Sequence, residues 1–246
     1  MSHVPGTPVA LLHGVGLDAG MWEPVRDALK RNSVAIDLPG HGRRPALTAP
    51  TSLAELAADV LERLPEKSHL VGFSLGALIA QYIARFHPDR VETLTCVNSV
   101  CRRTEDESTA VLTRLAAAES DFPATVEASI DRWYTGTSVP QSVVETTRRT
   151  LAGNDVGSFV HAYRVFATGD AVIGPELGNI HVPTLAVTGE LDPGSTPDMT
   201  LRLAEAIPGA RSLVVPGARH MLPVQDADVL AGAINDFIQE SEGERA

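Results

Sequence analysis

Short apolar runs alternate along this chain with longer stretches whose apolar positions recur every three or four residues. Val9 to Leu12, Ser33 to Ile36, His69 to Gly72, Val91 to Asn98, Thr184 to Val187 and Arg211 to Val215 have the length and content of strands. Helical period marks about Ala19 to Arg31, the stretch after Ser52, Leu75 to Phe86, Pro197 to Ile207 and a closing segment Val224 to Gln239. Local punctuation agrees, since Ser52 and Glu55 have capping-box spacing and Pro65 ends the helix they start. Strand and helix in this rhythm build βαβ units, so the predicted class is α/β, with a mostly parallel sheet covered by helices on both faces.

The rhythm breaks once. From Cys101 to about Asn179 the pieces are polar and helix-compatible with no clear strand. This predicts a helical insertion over 101–179 between two parts of one core, 1–100 and 180–246. The tail from Glu240 to Ala246 is charged and reads as frayed. With 246 residues and 43% of them hydrophobic, the chain can bury a sizeable core.

Charge narrows the partners. Twenty Lys and Arg against 31 Asp and Glu give −11 at pH 7, a far field that repels a phosphate backbone or an anionic membrane. Neither nucleic acid nor membrane is therefore an expected partner, while a local basic pocket for a small anion stays open. Met1 to Pro8 lacks the basic and apolar regions of a signal peptide, and no apolar run approaches the roughly 18 residues of a membrane span, so the cytoplasm is the expected compartment. Cys96 and Cys101 have no further Cys to build a framework and read as reduced thiols.

Gly72-Phe73-Ser74-Leu75-Gly76 fits G-x-S-x-G and sits between a predicted strand and a predicted helix. A sharp turn there exposes the Ser74 hydroxyl at the carboxyl edge of the sheet, and a helix N-terminus favours negative charge developing beside it. Tight strand-helix packing or a phosphate site would also use a glycine-rich turn. A serine hydroxyl is a weak nucleophile until a base takes its proton, so the reading requires a histidine and an acid that orients it. Asp192 directly follows one late strand and His220 the last, in the order acid then histidine that this motif calls for. Glu190 and Asp37 are the rival acids, Glu190 lying nearer its strand and reaching less far over the edge. Of the other histidines, His3 is a tail residue, His87 a helix terminus, and His69, His161 and His181 surface or packing positions. His13 and His41 occupy glycine-containing loops at the same edge, placed to bond loop backbone. Acyl transfer also needs two donors for the oxyanion, for which the N–H groups of Leu75 and of Val15, in the loop after the first strand, are the candidates.

Five segments now stand in order: Leu11-Leu12-His13-Gly14, Asp37-Leu38-Pro39-Gly40-His41-Gly42, Gly72-Phe73-Ser74-Leu75-Gly76, Gly189-Glu190-Leu191-Asp192 and Gly217-Ala218-Arg219-His220-Met221. Together they resemble the α/β-hydrolase superfamily over nearly the whole chain. The resemblance implies Ser74 as nucleophile, His220 as base, Asp192 as its orienting acid, and the segment from about Cys101 to Asn179 as a cap over the pocket. Two departures stand out. Only eight residues precede Val9, so the antiparallel strand pair usual in the family is missing and about six strands are expected. Arg219 replaces the usual small residue before the histidine and reads as pointing to solvent.

Within the superfamily the cap is loosely similar to that of 3-oxoadipate enol-lactonases, through Asp131-Arg132-Trp133-Tyr134-Thr135, Arg148, Asp155 and Tyr163-Arg164. A weaker likeness runs to pimeloyl-carrier methyl ester esterases. Trp133 and Tyr134 are candidates for an apolar pocket wall, with plain core as the competing reading. Arg132, Arg148, Arg149 and Arg164 are candidates for a substrate carboxylate, a role that requires one of them to be buried. The expected activity is a serine hydrolase cleaving a small carboxylic ester or lactone. C–C bond cleavage in a vinylogous diketone and a non-catalytic ligand-binding role are the alternatives. No metal cluster, phosphate loop or dinucleotide fingerprint is present, Gly14-Val15-Gly16 lacking the third glycine, so no cofactor is expected.

Overall fold

A computed structural model describes residues 6–244; His3 and the start of the leader reading lie outside them. Six parallel strands form one sheet: β1 (Val9–Leu12), β2 (Ser33–Ile36), β3 (Ser68–Phe73), β4 (Val91–Val97), β5 (Thr184–Gly189) and β6 (Arg211–Val215), in the order β2-β1-β3-β4-β5-β6. Between β1 and β2 come a 3₁₀ turn (Ala19–Trp22) and α1 (Glu23–Ala28); then α2 (Leu53–Arg63) precedes β3 and α3 (Leu75–Phe86) follows it. Four helices, α4 (Glu105–Ser120), α5 (Phe122–Tyr134), α6 (Gln141–Ala152) and α7 (Val156–Ile173), separate β4 from β5. The chain closes with α8 (Pro197–Ala206), β6, α9 (Leu222–Gln225) and α10 (Ala227–Gly243).

The strands form where apolar residues are buried on both faces. Every residue of β1, β3 and β5 is buried, and fully buried Leu11, Leu12, Leu70 and Leu94 meet Trp22, Phe73, Leu78 and Ile83 in the core. Each such side chain contributes roughly 1.5–3 kcal/mol by leaving water. The capping box at Ser52 and Glu55 is formed, each side chain bonding the other's backbone N–H.

Register decides where the chemistry sits. Leu12 pairs with Gly72, Gly72 with Cys96 and Cys96 with Ala186, so β1, β3 and β4 end within one residue of a common level and β5 runs three residues past it. Strand order reverses beside β1, which makes the crevice at the carboxyl ends of β1 and β3 the topological switch point, where open parallel sheets bind ligands.

Two expectations are corrected. The closing helix breaks at Asp226, whose φ of −135° and ψ of 53° are not helical, leaving α9 and α10 as separate helices. The tail does not fray from Glu240, because acidic residues of α10 find arginines: Glu242 bonds Arg31 and Glu240 pairs with Arg211, carrying the helix to Gly243. Among the described residues no helix is long and apolar enough to cross a membrane.

Candidate active site

Ser74 joins β3 to α3 with φ 54° and ψ −113°, a left-handed conformation that side chains disfavour. Such strain costs roughly 1–3 kcal/mol and persists only where the surroundings enforce it. Here they do. The Ser74 N–H donates to the Val97 carbonyl at 2.9 Å, and its carbonyl accepts from the N–H groups of Ala77 and Leu78 at 3.0 and 3.3 Å. Glycine is required on either side, since a Cβ at Gly72 would collide with the Gly76 carbonyl and one at Gly76 with the carbonyls of Leu12 and His13. Ser74 is 3% exposed.

The loop after β1 lies against it. A Cβ on Gly14 would stand 3.2 Å from Ser74 Cβ and 2.9 Å from the Phe73 ring. His13, fully buried, fixes this loop from below: its Nδ1–H donates to the Gly14 carbonyl at 2.7 Å and its Nε2 accepts the Leu38 N–H at 2.8 Å. Burial and the neighbouring His41 push its pKa down to about 3, so it is a neutral brace. Among the described residues the Val15 N–H donates to no backbone carbonyl outside regular structure, and Leu75, first in α3, has no acceptor a turn back in its helix. Neither candidate oxyanion donor is thus tied to a backbone carbonyl among these bonds.

Asp192 and His220 meet above the ends of β5 and β6. His220 Nδ1 lies 2.7 Å from Asp192 Oδ2, so the imidazole donates there and leaves Nε2 as the nitrogen that can take a proton. Asp192 is 3% exposed and accepts three further bonds: Gly194 and Ser195 N–H at 2.8 and 3.0 Å on Oδ1, and Asn98 Nδ2 at 2.7 Å on Oδ2. Burial alone would raise this carboxyl; the charge and hydrogen bond of His220 with the Ser195 and Gly194 donors outweigh it and hold the group below its ordinary value. The rival acids are spent elsewhere, Glu190 on the Gly217 N–H and Asp37 on those of Ala19 and Arg43.

Asn98 is a residue that sequence reasoning missed. It follows β4 with φ 45°, its N–H donates to the Val187 carbonyl, and its amide bonds Thr188 Oγ1 at 3.2 Å besides Asp192. The signal was there in its position: a polar residue of a type that tolerates left-handed backbone, at the end of the strand between those of Ser74 and Asp192.

The helices between β4 and β5 divide the remaining candidates. Trp133 stacks on His220 with ring centres 5.6 Å apart and planes 26° apart, and Phe73 packs against the same imidazole at 5.0 Å. Tyr134 points the other way, its hydroxyl 2.7 Å from Thr147 Oγ1 between α5 and α6, so it is helix-packing core. Arg164 lies on the outer surface, about half exposed and paired with Glu119, because α7 turns that position away from the sheet. Arg219 does not point freely to solvent: it is partly buried and its Nη1 reaches the Arg132 carbonyl of α5 at 3.4 Å. Among the described residues no group of His, Cys, Asp and Glu is placed to hold a metal ion.

Residues 9–233 match the model of the alpha/beta hydrolase family. The chain belongs to that family. Among curated relatives it is 30% identical to (E)-2-((N-methylformamido)methylene)succinate hydrolase of Acinetobacter baylyi, over 95% of this chain and 91% of the relative. It is also 30% identical to pimeloyl-[acyl-carrier protein] methyl ester esterase of Yersinia enterocolitica, covering 95% and 93%. Of solved structures, the enol-lactonase from Burkholderia xenovorans superposes with a TM-score of 0.86 at 26% identity, over 97% of this chain and 94% of that one.

Proposed function

We propose that this alpha/beta hydrolase cleaves a small carboxylic ester or lactone through an acyl-enzyme on Ser74. The observation that carries the reading is the 2.7 Å bond from His220 Nδ1 to a buried Asp192 carboxylate, at the same sheet edge as a strained serine heading α3. Four donors converging on Asp192 are the support of a group that must stay ionised and fixed, which a protein that only holds a ligand has no need to build.

In this mechanism Ser74 Oγ attacks the carbonyl carbon as His220 Nε2 takes its proton, and Asp192 stabilises the imidazolium. The N–H groups of Leu75 and Val15 bind the oxyanion, each contributing roughly 2.7–4 kcal/mol at the transition state. His220 then protonates the departing alcohol or enol oxygen, the C–O bond breaks, and the same imidazole activates water to release the acid and restore Ser74. The four helices between β4 and β5 form the cap, and Trp133 supplies the wall behind the base. Relatives named as an ester esterase and an enol-lactonase support this substrate class.

The test is hydrolysis of p-nitrophenyl esters from acetate to decanoate and of γ-lactones, by wild type and Ser74→Ala. Turnover should fall by roughly 10⁶-fold in the variant, by the size of effect seen when a triad serine is removed. A variant that keeps near wild-type turnover would overturn the mechanism, and release of C–C cleavage products from a vinylogous diketone in place of ester hydrolysis would replace the substrate class.

A further inference from the structure

The corner where α6 turns into α7 is stitched to the loops that leave β1 and β2. Asn154, in that turn, donates through Nδ2 to the Gly16 carbonyl at 2.9 Å. Buried Ser158, in the first turn of α7, donates through Oγ to the Gly40 carbonyl at 3.1 Å and accepts the Leu47 N–H at 2.9 Å. Leu151 and Phe159, on either side of the corner, press on Gly16 so closely that a Cβ there would collide with both.

Gly16 belongs to the loop that carries Val15. The Leu17 N–H donates to the Gly14 carbonyl at 3.3 Å, closing a turn with Val15 and Gly16 at its centre. Gly16 has φ 76°, the positive value that a type II turn requires at its third residue. In a trans peptide the carbonyl and the N–H point opposite ways, so whatever fixes the Gly14 carbonyl also aims the Val15 N–H. His13 holds the near end of the turn, through its 2.7 Å bond to that carbonyl. The turn's own closing bond is long for N–H to oxygen, and the far end, the Gly16 carbonyl, is gripped by Asn154.

The amide of Asn154 suits this task. Besides Gly16, its Nδ2 lies 3.0 Å from the Thr150 carbonyl and 2.9 Å from that of Leu151, both in the last turn of α6. Three carbonyls around one nitrogen demand a donor, and an NH2 group has two N–H bonds to share among them. One side chain thus closes α6 and ties its end to the loop beside Ser74.

We infer that Asn154 is a positioning residue for the oxyanion hole: through Gly16 it holds the turn that aims the Val15 N–H. The inference rests on the reading of Val15 as an oxyanion donor in the serine mechanism. Its effect belongs to the transition state, since the donor matters most when the carbonyl oxygen becomes an anion.

The experiment measures kcat and KM for p-nitrophenyl butyrate in wild type, Asn154→Ala, Asn154→Asp and Ser158→Ala, with Ki for two ketones of equal chain length. A trifluoromethyl ketone is attacked by Ser74 Oγ at its carbonyl carbon; the serine proton passes to His220 Nε2 and the C=O π pair becomes an oxyanion. The corresponding methyl ketone binds without that addition. In Asn154→Ala, kcat should fall about 10-fold, short of the roughly 10²- to 10³-fold cost of losing a donor outright. KM should stay within about threefold, so that kcat/KM falls with kcat. Asn154→Asp should lose at least as much, because a carboxylate only accepts and would face three carbonyls. The trifluoromethyl ketone should bind about 10-fold more weakly in both variants and the methyl ketone within about threefold of wild type. Ser158→Ala removes a buried bond from the same corner but none from Gly16, and should lower stability while keeping kcat within about threefold.

Unchanged kcat in the Asn154 variants, a loss carried by KM, an equal weakening of both ketones, or an equal kcat loss in Ser158→Ala would reduce Asn154 to a helix-end contact and overturn the inference. Each Asn154 variant carries the test if the other fails to fold. Turnover that survives Ser74→Ala would strike at the serine mechanism itself, whereas turnover lost in Ser74→Ala but unchanged in the Asn154 variants removes the positioning role alone.

Discussion

The carboxyl edge of the sheet and the four helices above it solve different problems. At the edge, position is set by main chain: strand register levels Leu12, Gly72, Cys96 and Ala186, and backbone bonds lock the Ser74 turn to β4. In the helices, position is set by side chains: Trp133 meets His220 while Tyr134, its neighbour in sequence, turns away to Thr147. The contrast teaches that main chain fixes one region and side chains the other. Backbone geometry changes little with substitution, whereas a helix face can be rewritten one residue at a time.

The contrast yields graded expectations. After Ser74→Ala, the largest cost is expected from Asp192→Asn, about 10⁴-fold in kcat, because an amide cannot hold the imidazole in the tautomer that leaves Nε2 free. Steady-state kinetics on a p-nitrophenyl ester checks it; a loss under tenfold would mean that the edge is less committed to this acid than its four donors indicate.

Next comes a dependence on pH. His13 is held neutral with its pKa lowered from 6.5 to about 3, so the unfolded chain binds the extra proton throughout that window and stability rises with pH across it. Acidifying from pH 6.5 to 4.5 should remove up to about 2.7 kcal/mol from this group, by 1.36 kcal/mol per unit. Burial holds His41 low as well, which acts in the same direction. Asp192 acts at lower pH: its depressed carboxyl stabilises the fold above the ordinary Asp range, and that contribution is lost as pH falls through its folded value. Denaturant melts of wild type and His13→Gln should show a flatter acid slope in the variant, and equal slopes would remove the brace from the account.

Asn98→Ala removes one donor from a buried carboxylate, an effect of roughly 1.5–3 kcal/mol, or about 10- to 100-fold in kcat. Asn98 touches Asp192 and acts through it, so it is a positioning residue. With that donor gone the Asp192 carboxyl should rise, and the acid limb of the kcat profile should shift to higher pH. An unmoved limb with lowered stability would leave Asn98 a merely structural role. The smallest effect is expected in the helices, where Arg164→Gln breaks a surface pair with Glu119 and should change stability by under about 0.5 kcal/mol.

The same contrast explains what the sequence alone conveyed. Strands could be read because burial on both faces leaves unbroken apolar runs, as in Val9–Leu12, and the Ser74 turn because Gly72 and Gly76 flag a bend that only glycine permits. The meeting of His220 with Asp192 was legible from strand-end position and chain order. Which face of a helix looks inward was not legible, since adjacent residues differ by about 100° around the axis and the docking angle is a tertiary fact. Trp133 and Tyr134 were therefore inseparable, and Arg164, taken with them as substrate-binding, lies instead on the outer surface paired with Glu119. The α10 tail was misread for a related reason, because its acidic residues look solvated until Arg31 and Arg211 are brought to them by the fold.

The most direct test of the central claim, that Ser74 is an activated nucleophile, is covalent labelling. Wild type, Ser74→Ala and His220→Gln are treated with phenylmethanesulfonyl fluoride and followed by intact mass and peptide mapping. The account predicts one adduct per chain, mapped to Ser74, absent in Ser74→Ala and slowed by orders of magnitude in His220→Gln. No adduct on wild type, or one that persists in Ser74→Ala, would contradict it.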